Sequence, residues 1–176
     1  MSLMPEVVFD CCVLSNFALS GALPVLKSLY TGTSYITDFV SAEILRGIQK
    51  GYGELTAIKE ALKDGWLKET VLSTAEEKTF FEALSVSLGF GEASSIAVAK
   101  ARGFLFACDD KAARKEANIL GVKMTGTIGI LTKAAKTKII DLKTADRHLK
   151  KMMTFGFYSP IISIKDILDF IKRPRF

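Results

Sequence analysis

Val7-Val8-Phe9-Asp10-Cys11-Cys12 is the stretch on which the reading of this chain turns. Three consecutive apolar β-formers mark a strand buried on both faces, and the first charge after them is an aspartate at the strand's exit. A second such run, Phe104-Leu105-Phe106-Ala107-Cys108, leads straight into Asp109-Asp110. Further strand-like runs lie at about 34–36, 66–72 and 122–124, and the first begins near Glu6. Helical periodicity fills the gaps. Leu23, Leu26, Leu29 and Tyr30 form one stripe, Phe39, Ile44, Leu45 and Ile48 a second, and Leu55, Ile58 and Leu62, stopped by Gly65, a third. Thr74-Ala75-Glu76-Glu77 is a capping box opening a helix to about Leu88. Gly91 starts another helix, Asp110–Leu120 closes on Gly121, and 127–136 follows. This alternation predicts an α/β fold with a parallel sheet of about five strands covered by helices on both faces. Right-handed crossovers then gather the strand C-termini on one edge.

A chain of 176 residues suits one domain with a full core, and 49% hydrophobic with 24% charged content is globular rather than disordered. The domain is expected to span 4–176, with the α/β core at about 6–140 and an extension at 141–176 holding two helices near 145–155 and 163–171. Met1-Ser2-Leu3 reads as an expression leader and Lys172 to Phe176 as a frayed basic tail. No apolar run approaches the ~18 residues of a membrane span. Three cysteines without CxxC spacing read as free thiols, which places the chain in the cytoplasm by expectation. A net charge of +5 permits an anionic partner such as nucleic acid without demanding one.

The acids carry the chemistry. Asp10 follows the first strand, Glu43 lies early in one helix, Glu92 opens another, and Asp109-Asp110 follow a strand. Singly, each has a bland reading: Asp10 and the Asp pair as helix caps, Glu43 as a solvated helix residue, Glu92 as a complement to the helix dipole. Together they fall at the same ends of their elements, and acids converging on one sheet edge form the all-carboxylate pocket that suits Mg²⁺ or Mn²⁺.

The series Val7-Val8-Phe9-Asp10, Ala42-Glu43-Ile44, Gly91-Glu92-Ala93-Ser94-Ser95-Ile96-Ala97, Asp109-Asp110-Lys111-Ala112-Ala113-Arg114 and Gly126-Thr127-Ile128-Gly129-Ile130-Leu131 resembles PIN-domain nucleases. Within them it is most similar to a prokaryotic subgroup like the VapC toxins. The resemblance runs from about Val7 to Ile140. It implies a three-layer PIN-like sandwich and a metal-dependent endoribonuclease, the toxin of a toxin–antitoxin pair. It implies Asp10, Glu43, Glu92 and Asp110 as the catalytic acids, with Asp10, Glu92 and Asp110 holding one or two Mg²⁺ or Mn²⁺ ions and Asp109 either joining that metal set through water or only shaping the turn. RNA is the implied substrate, a small antitoxin protein the implied partner, and a homodimer the implied assembly. The stripes at Leu23–Tyr30 and Leu55–Leu62 are candidate antitoxin surfaces, with plain core packing as the competing reading.

Asn16 and Ser94 are candidates to orient water or phosphate, or equally read as local caps or surface groups; Arg46, Lys111 and Arg114 are candidates to hold the RNA backbone, although Arg114 at i+4 from Asp110 also suits an intrahelical pair. No aromatic nucleic-acid motif or zinc finger is evident in sequence. His148, the single histidine, lies outside the motifs and reads as a solvated helix residue, which argues against histidine-based ribonuclease chemistry. Cys12 and Cys108 stand where the family usually has Ser or Thr. They read either as small core thiols or as donors that attract a softer ion such as Zn²⁺. Competing folds fail on their motifs. A haloacid-dehalogenase-type phosphatase needs an Asp where Cys12 stands, a receiver domain needs its acid pair after the first strand, and a Rossmann binder needs a glycine-rich first turn. A PIN-fold RNA- or protein-binding module with little or no nuclease activity stays open.

Overall fold

β1 (Val7–Phe9), β2 (Ser34–Thr37), β3 (Leu67–Thr70), β4 (Leu105–Ala107) and β5 (Met124–Thr125) pair in the order β3-β2-β1-β4-β5, all parallel. The computed structural model describes residues 4–172; the leader 1–3 and the tail after Lys172 lie outside the described residues. Val7 pairs with Ser34 on one side and Leu105 on the other, and Phe9 faces Ala107. The winding direction therefore reverses between β1 and β4. Their C-terminal ends flank the crevice where α/β proteins of this kind bind ligands.

Side-chain alternation explains the unbroken apolar run of β1. Val7 and Phe9 enter one core with Phe17, Leu26 and Ile130, while Val8 enters the other with Ile96 and Phe106. Both faces are covered by helices: α1 (Cys11–Leu19), α2 (Leu23–Tyr30), α3 (Asp38–Gln49), α4 (Thr56–Lys63), α5 (Ala75–Leu84), α6 (Phe90–Arg102), α7 (Lys111–Ile119), α8 (Thr127–Lys136), α9 (Leu142–Thr154) and α10 (Ile164–Lys172). This is the expected three-layer α/β architecture. Asp146 on α9 accepts from the Ile164 N–H at 2.6 Å and the Ser163 hydroxyl at 2.9 Å, which caps α10 and fastens the C-terminal helices together.

Three local expectations change. α1 escaped the periodicity because Cys11, Cys12, Ser15 and Asn16 dilute its apolar stripe. α5 stops at Leu84, and the chain reaches Leu88 through turn hydrogen bonds to the Leu84 carbonyl. β3 ends at Thr70 rather than at 72, and the Val71 carbonyl instead accepts from Arg102 at 2.8 Å. The two stripes considered for an antitoxin are spent on the core: Leu23, Leu26, Leu29, Tyr30, Leu55 and Ile58 are all buried.

Behind the sheet, Arg102 at the end of α6 binds Glu77 in the first turn of α5 (Nε to Oε1, 2.6 Å). Glu77 completes the expected capping box with Thr74 and also accepts from the Ser73 N–H at 2.6 Å. The guanidinium holds its carboxyl down at about 2, against an ordinary 4.5. A depressed carboxylate stabilises the fold fully above 4.5 and loses that contribution as pH falls toward 2. Glu77→Gln should therefore cost about 3 kcal/mol at neutral pH and much less at strongly acid pH, read from urea melts at both.

Candidate active-site cleft

Asp10 occupies the N-cap position of α1 in extended conformation, yet its side chain makes no capping bond. Its N–H donates to the Ala107 carbonyl at 2.9 Å, which carries the β1–β4 pairing up to the crevice. The carboxylate is 3% exposed. Its Oδ2 accepts from the Cys12 thiol at 2.9 Å and, more weakly, from the Cys108 thiol at 3.6 Å. Burial pushes its pKa up, and the two thiols and the N–H groups of Cys11 and Cys12 oppose this. Capping thus does not account for Asp10.

Glu43 comes in from α3 and is seated on α6. Burial, followed by the charge of Asp10, raises its pKa, and the nearby Gly91 N–H opposes the rise. The seat is tight, since a Cβ on Gly91 would lie 2.6 Å from Glu43 Oε1. A chain of buried hydroxyls fixes the seat. The Val40 N–H donates to Thr37 Oγ1 at 3.3 Å, Thr37 and Ser94 hydroxyls bond at 2.8 Å, and Ser94 donates to the Gly91 carbonyl at 2.9 Å. Ser94 is fully buried, with its hydrogen bonds spent inside the protein. The expectation that it orients substrate is corrected: it joins α6 to the start of α3.

Glu92 is half-buried and accepts from the Gly89 N–H at 3.3 Å, so it does serve the start of its helix. Its pKa is raised by burial and then by the charges of Asp10, Asp110 and Glu43. Asp10 from β1, Glu43 from α3 and Asp110 from the β4 exit thus lie near enough to Glu92 on α6 for their charges to raise it. Asp110 is exposed on the cleft; one oxygen caps α7 through the Ala113 N–H at 2.9 Å.

Asp109 behaves differently. Its Oδ1 accepts from the Thr127 N–H at 2.9 Å, and its Oδ2 accepts from the Thr127 hydroxyl at 2.6 Å and from Asn16 at 3.3 Å. Of its two readings, a ligand through water or a turn former, these bonds favour the second: Asp109 anchors the start of α8. Asn16, which also donates to Thr127 Oγ1 at 3.1 Å, holds that anchor from the cleft wall. A Cβ on Gly126 would meet Asp109 Oδ1 at 2.5 Å and the Cys108 carbonyl at 3.2 Å. Backbone cannot yield as a side chain does, so Gly126→Ala should destabilise by about 2–3 kcal/mol in denaturant melts.

The cleft outside these acids encloses about 1530 Å³. Arg46, Lys50, Lys111 and Arg114 line it, as do Tyr52, Phe155, Phe157 and Tyr158. Arg46, Lys111 and Arg114 were legible as candidates; the aromatics were not, because they meet only when the segment after α9 folds over the cleft. Arg114 makes no ion pair with Asp110. Its Nη1 donates to the carbonyls of Cys108 at 2.8 Å and Thr125 at 3.1 Å, tying β4 to β5. His148 is half-buried on α9 rather than solvated, is held below its usual pKa by burial, and does not line the cleft.

A five-stranded parallel sheet of this order, with carboxylates gathered at its switch point, has the form of a PIN-type nuclease fold. The chain belongs to that family: the family model described as DUF3368, PIN domain, matches residues 6–173. A protein from Pyrobaculum aerophilum, PAE2754, has a similar structure, with a TM-score of 0.51 at 18% identity over 76% of this chain and 99% of that one. At that identity the likeness concerns the fold. No curated protein matches the sequence. Among the described residues, no helix is long and apolar enough to cross a membrane.

Proposed function

We propose that this protein is a metal-dependent endoribonuclease acting at Asp10, Glu43, Glu92 and Asp110. The reading is carried by where the acids lie: Asp10 is buried at the exit of β1 beside β4, Glu43 and Asp110 line the cleft, and the charge of Asp10 raises both Glu43 and Glu92. Such a cluster is costly without a cation, and its oxygen donors fit Mg²⁺ or Mn²⁺. When bound, the ion supplies an activated water and neutralises charge building on the phosphoryl group. Asp10, Glu92 and Asp110 are the residues to hold it, with Glu43 beside them, near the Gly91 N–H. Asp109 and Asn16 act by holding the walls in place.

Exposed Arg46, Lys50 and Lys111 suit a phosphodiester backbone, while the guanidinium of Arg114 is partly spent on the β4–β5 junction. Tyr158 is 85% exposed and Tyr52 53% exposed, both on the cleft. Large exposed rings beside cations form a stacking platform for unpaired bases, so single-stranded RNA is the favoured substrate. In an Asp10→Asn background, which binds without cutting, Tyr158→Ala should weaken a single-stranded oligonucleotide by about tenfold in fluorescence anisotropy. An unchanged affinity would remove Tyr158 from the binding path.

The direct test is cleavage of a panel of single-stranded and structured RNAs with Mn²⁺, with EDTA as the control. Mn²⁺-dependent, EDTA-abolished cutting supports the reading. Silence across the panel despite calorimetric Mn²⁺ binding favours the binding module, and absence of Mn²⁺ binding overturns the site assignment. The toxin role rests on motif resemblance and is tested by growth arrest on expression, relieved by Asp10→Asn. A homodimer is tested by sedimentation.

A further inference from the structure

Asp10 Oδ2 accepts from two thiols that come from different elements. Cys12 lies in the first turn of α1, and Cys108 follows β4. The three donor atoms, one carboxylate oxygen and two sulfurs, lie within 4.8 Å of one another. We propose that Asp10, Cys12 and Cys108 form a binding site for a thiophilic divalent cation of the Zn²⁺ class, inside a site otherwise built for a harder ion.

The geometry is close to what such an ion requires. With Zn–S near ~2.3 Å and Zn–O near ~2.1 Å, tetrahedral ligands stand roughly 3.6 Å apart for S and O and roughly 3.8 Å for S and S. Cys108 Sγ already stands 3.6 Å from Asp10 Oδ2. Cys12 Sγ is hydrogen-bonded at 2.9 Å, and a rotation about its side-chain torsions opens that gap. Cys12 lines the cleft, which gives the ion an access route and leaves room for a ligand from solvent, while Cys108 and Asp10 are buried and pre-positioned.

Charge balance follows directly. Each thiol gives its proton to solvent as a metal–sulfur bond forms, so a 2+ ion meets two thiolates and one carboxylate, net −1. The buried Asp10 carboxylate exchanges two weak S–H donors for a cation. Serine hydroxyls at the same places would stay protonated and give no comparable anionic donors. Occupancy takes Asp10 out of the Mg²⁺ or Mn²⁺ site, so Zn²⁺ should inhibit cleavage. That consequence rests on the nuclease reading; binding does not.

The test uses the full-length protein, reduced with a phosphine and free of RNA and Mg²⁺. Added Co²⁺ should give a near-ultraviolet sulfur-to-cobalt charge-transfer band that Zn²⁺ bleaches stoichiometrically. The band should vanish in Cys12→Ser and in Cys108→Ser and survive in Cys11→Ser, whose thiol lies near Ser15 Oγ at 3.7 Å. Zn²⁺ affinity should fall by about a hundredfold or more in either of the first two variants, beyond the usual effect of losing an outer-shell partner. Should those variants not fold, Zn²⁺ binding to the wild type should still release about two protons per ion, one from each thiol. No band in the reduced wild type overturns the site, as does a band that survives both serine substitutions, a band lost only with Cys11, or Zn²⁺ binding that releases no thiol protons. Because the band needs no turnover, its presence in a protein that cuts nothing would separate this site from the nuclease reading.

Discussion

Replacing Asp10 by asparagine is expected to lower Mn²⁺-dependent RNA cleavage by about 10³-fold or more, and to leave the metal-free protein at least as stable as wild type. The loss of rate follows from removing the most buried member of the acid cluster, the one on which both neighbouring strands converge. Metal ions contribute several kcal/mol to stabilising phosphoryl transition states, and about 4 kcal/mol is three orders of magnitude. The stability half of the prediction follows from the direction of the pKa. Asp10 is raised above its ordinary 3.8, chiefly by burial, so the folded state holds that proton more tightly than the unfolded chain does. Ionisation therefore destabilises the fold as pH rises past 3.8, and Glu43 and Glu92 add the same trend past 4.5. Asparagine removes one of these costs. The variant's Tm should exceed that of the metal-free wild type by about 2–4 °C near neutrality, equivalent to about 1 kcal/mol, and the gap should close on acidification. Saturating Mn²⁺ should reverse the order, because binding to the native state raises the Tm of the wild type alone. Calorimetric scans with and without Mn²⁺ across the acid-to-neutral range read all of this. A variant that melts well below the metal-free wild type would show that Asp10 is a structural residue.

The opposed demands on Asp10 also explain what the sequence could and could not disclose. The sheet was readable because a parallel sheet is buried on both faces. Val7-Val8-Phe9 and Phe104–Cys108 could scarcely be anything else, and the acid after each run marks the crevice edge. α1 was not readable, because Cys11, Cys12, Ser15 and Asn16 interrupt the apolar stripe that would have marked it. Ser94 and Asp109 looked like chemistry because they sit beside the motif acids Glu92 and Asp110. Three-dimensional partners decide otherwise: Ser94 spends its hydroxyl on the Gly91 carbonyl, and Asp109 spends its carboxylate on Thr127 and Asn16, residues distant in sequence. The aromatic side of the cleft was invisible for the same reason. Tyr52 and Phe155–Tyr158 are separated by half the chain and meet only once α9 has packed. What pattern reading lacked was the assignment of hydrogen-bond partners. Those partners show how far each polar side chain is already committed inside the protein.

Gly91→Ala is expected to lower cleavage by about a hundredfold while changing stability by less than about 1 kcal/mol. Gly91 is a buried helical position close to the start of α6, with no positive φ to preserve. Alanine there gains up to about 1 kcal/mol of helix propensity. The obstacle is Glu43: the new methyl would lie 2.6 to 2.8 Å from its carboxylate, and nothing closer opposes it. The far end of a flexible side chain can swing aside cheaply, so the fold tolerates the change. The carboxylate, however, leaves its place near the Gly91 N–H, Asp10 and Glu92. Displacing a reacting-site group by about 1 Å costs about 10²-fold, because the geometry for reaction is lost before the fold is. A double-mutant cycle separates this from general damage. In a Glu43→Ala protein the methyl has no carboxylate to displace, so adding Gly91→Ala should leave the residual rate almost unchanged. An equal loss in both backgrounds would mean that Gly91 serves the site by some route other than seating Glu43. If the loss appears only where Glu43 is present, the glycine of the Gly91-Glu92 pair is there to leave space for a carboxylate contributed by another helix.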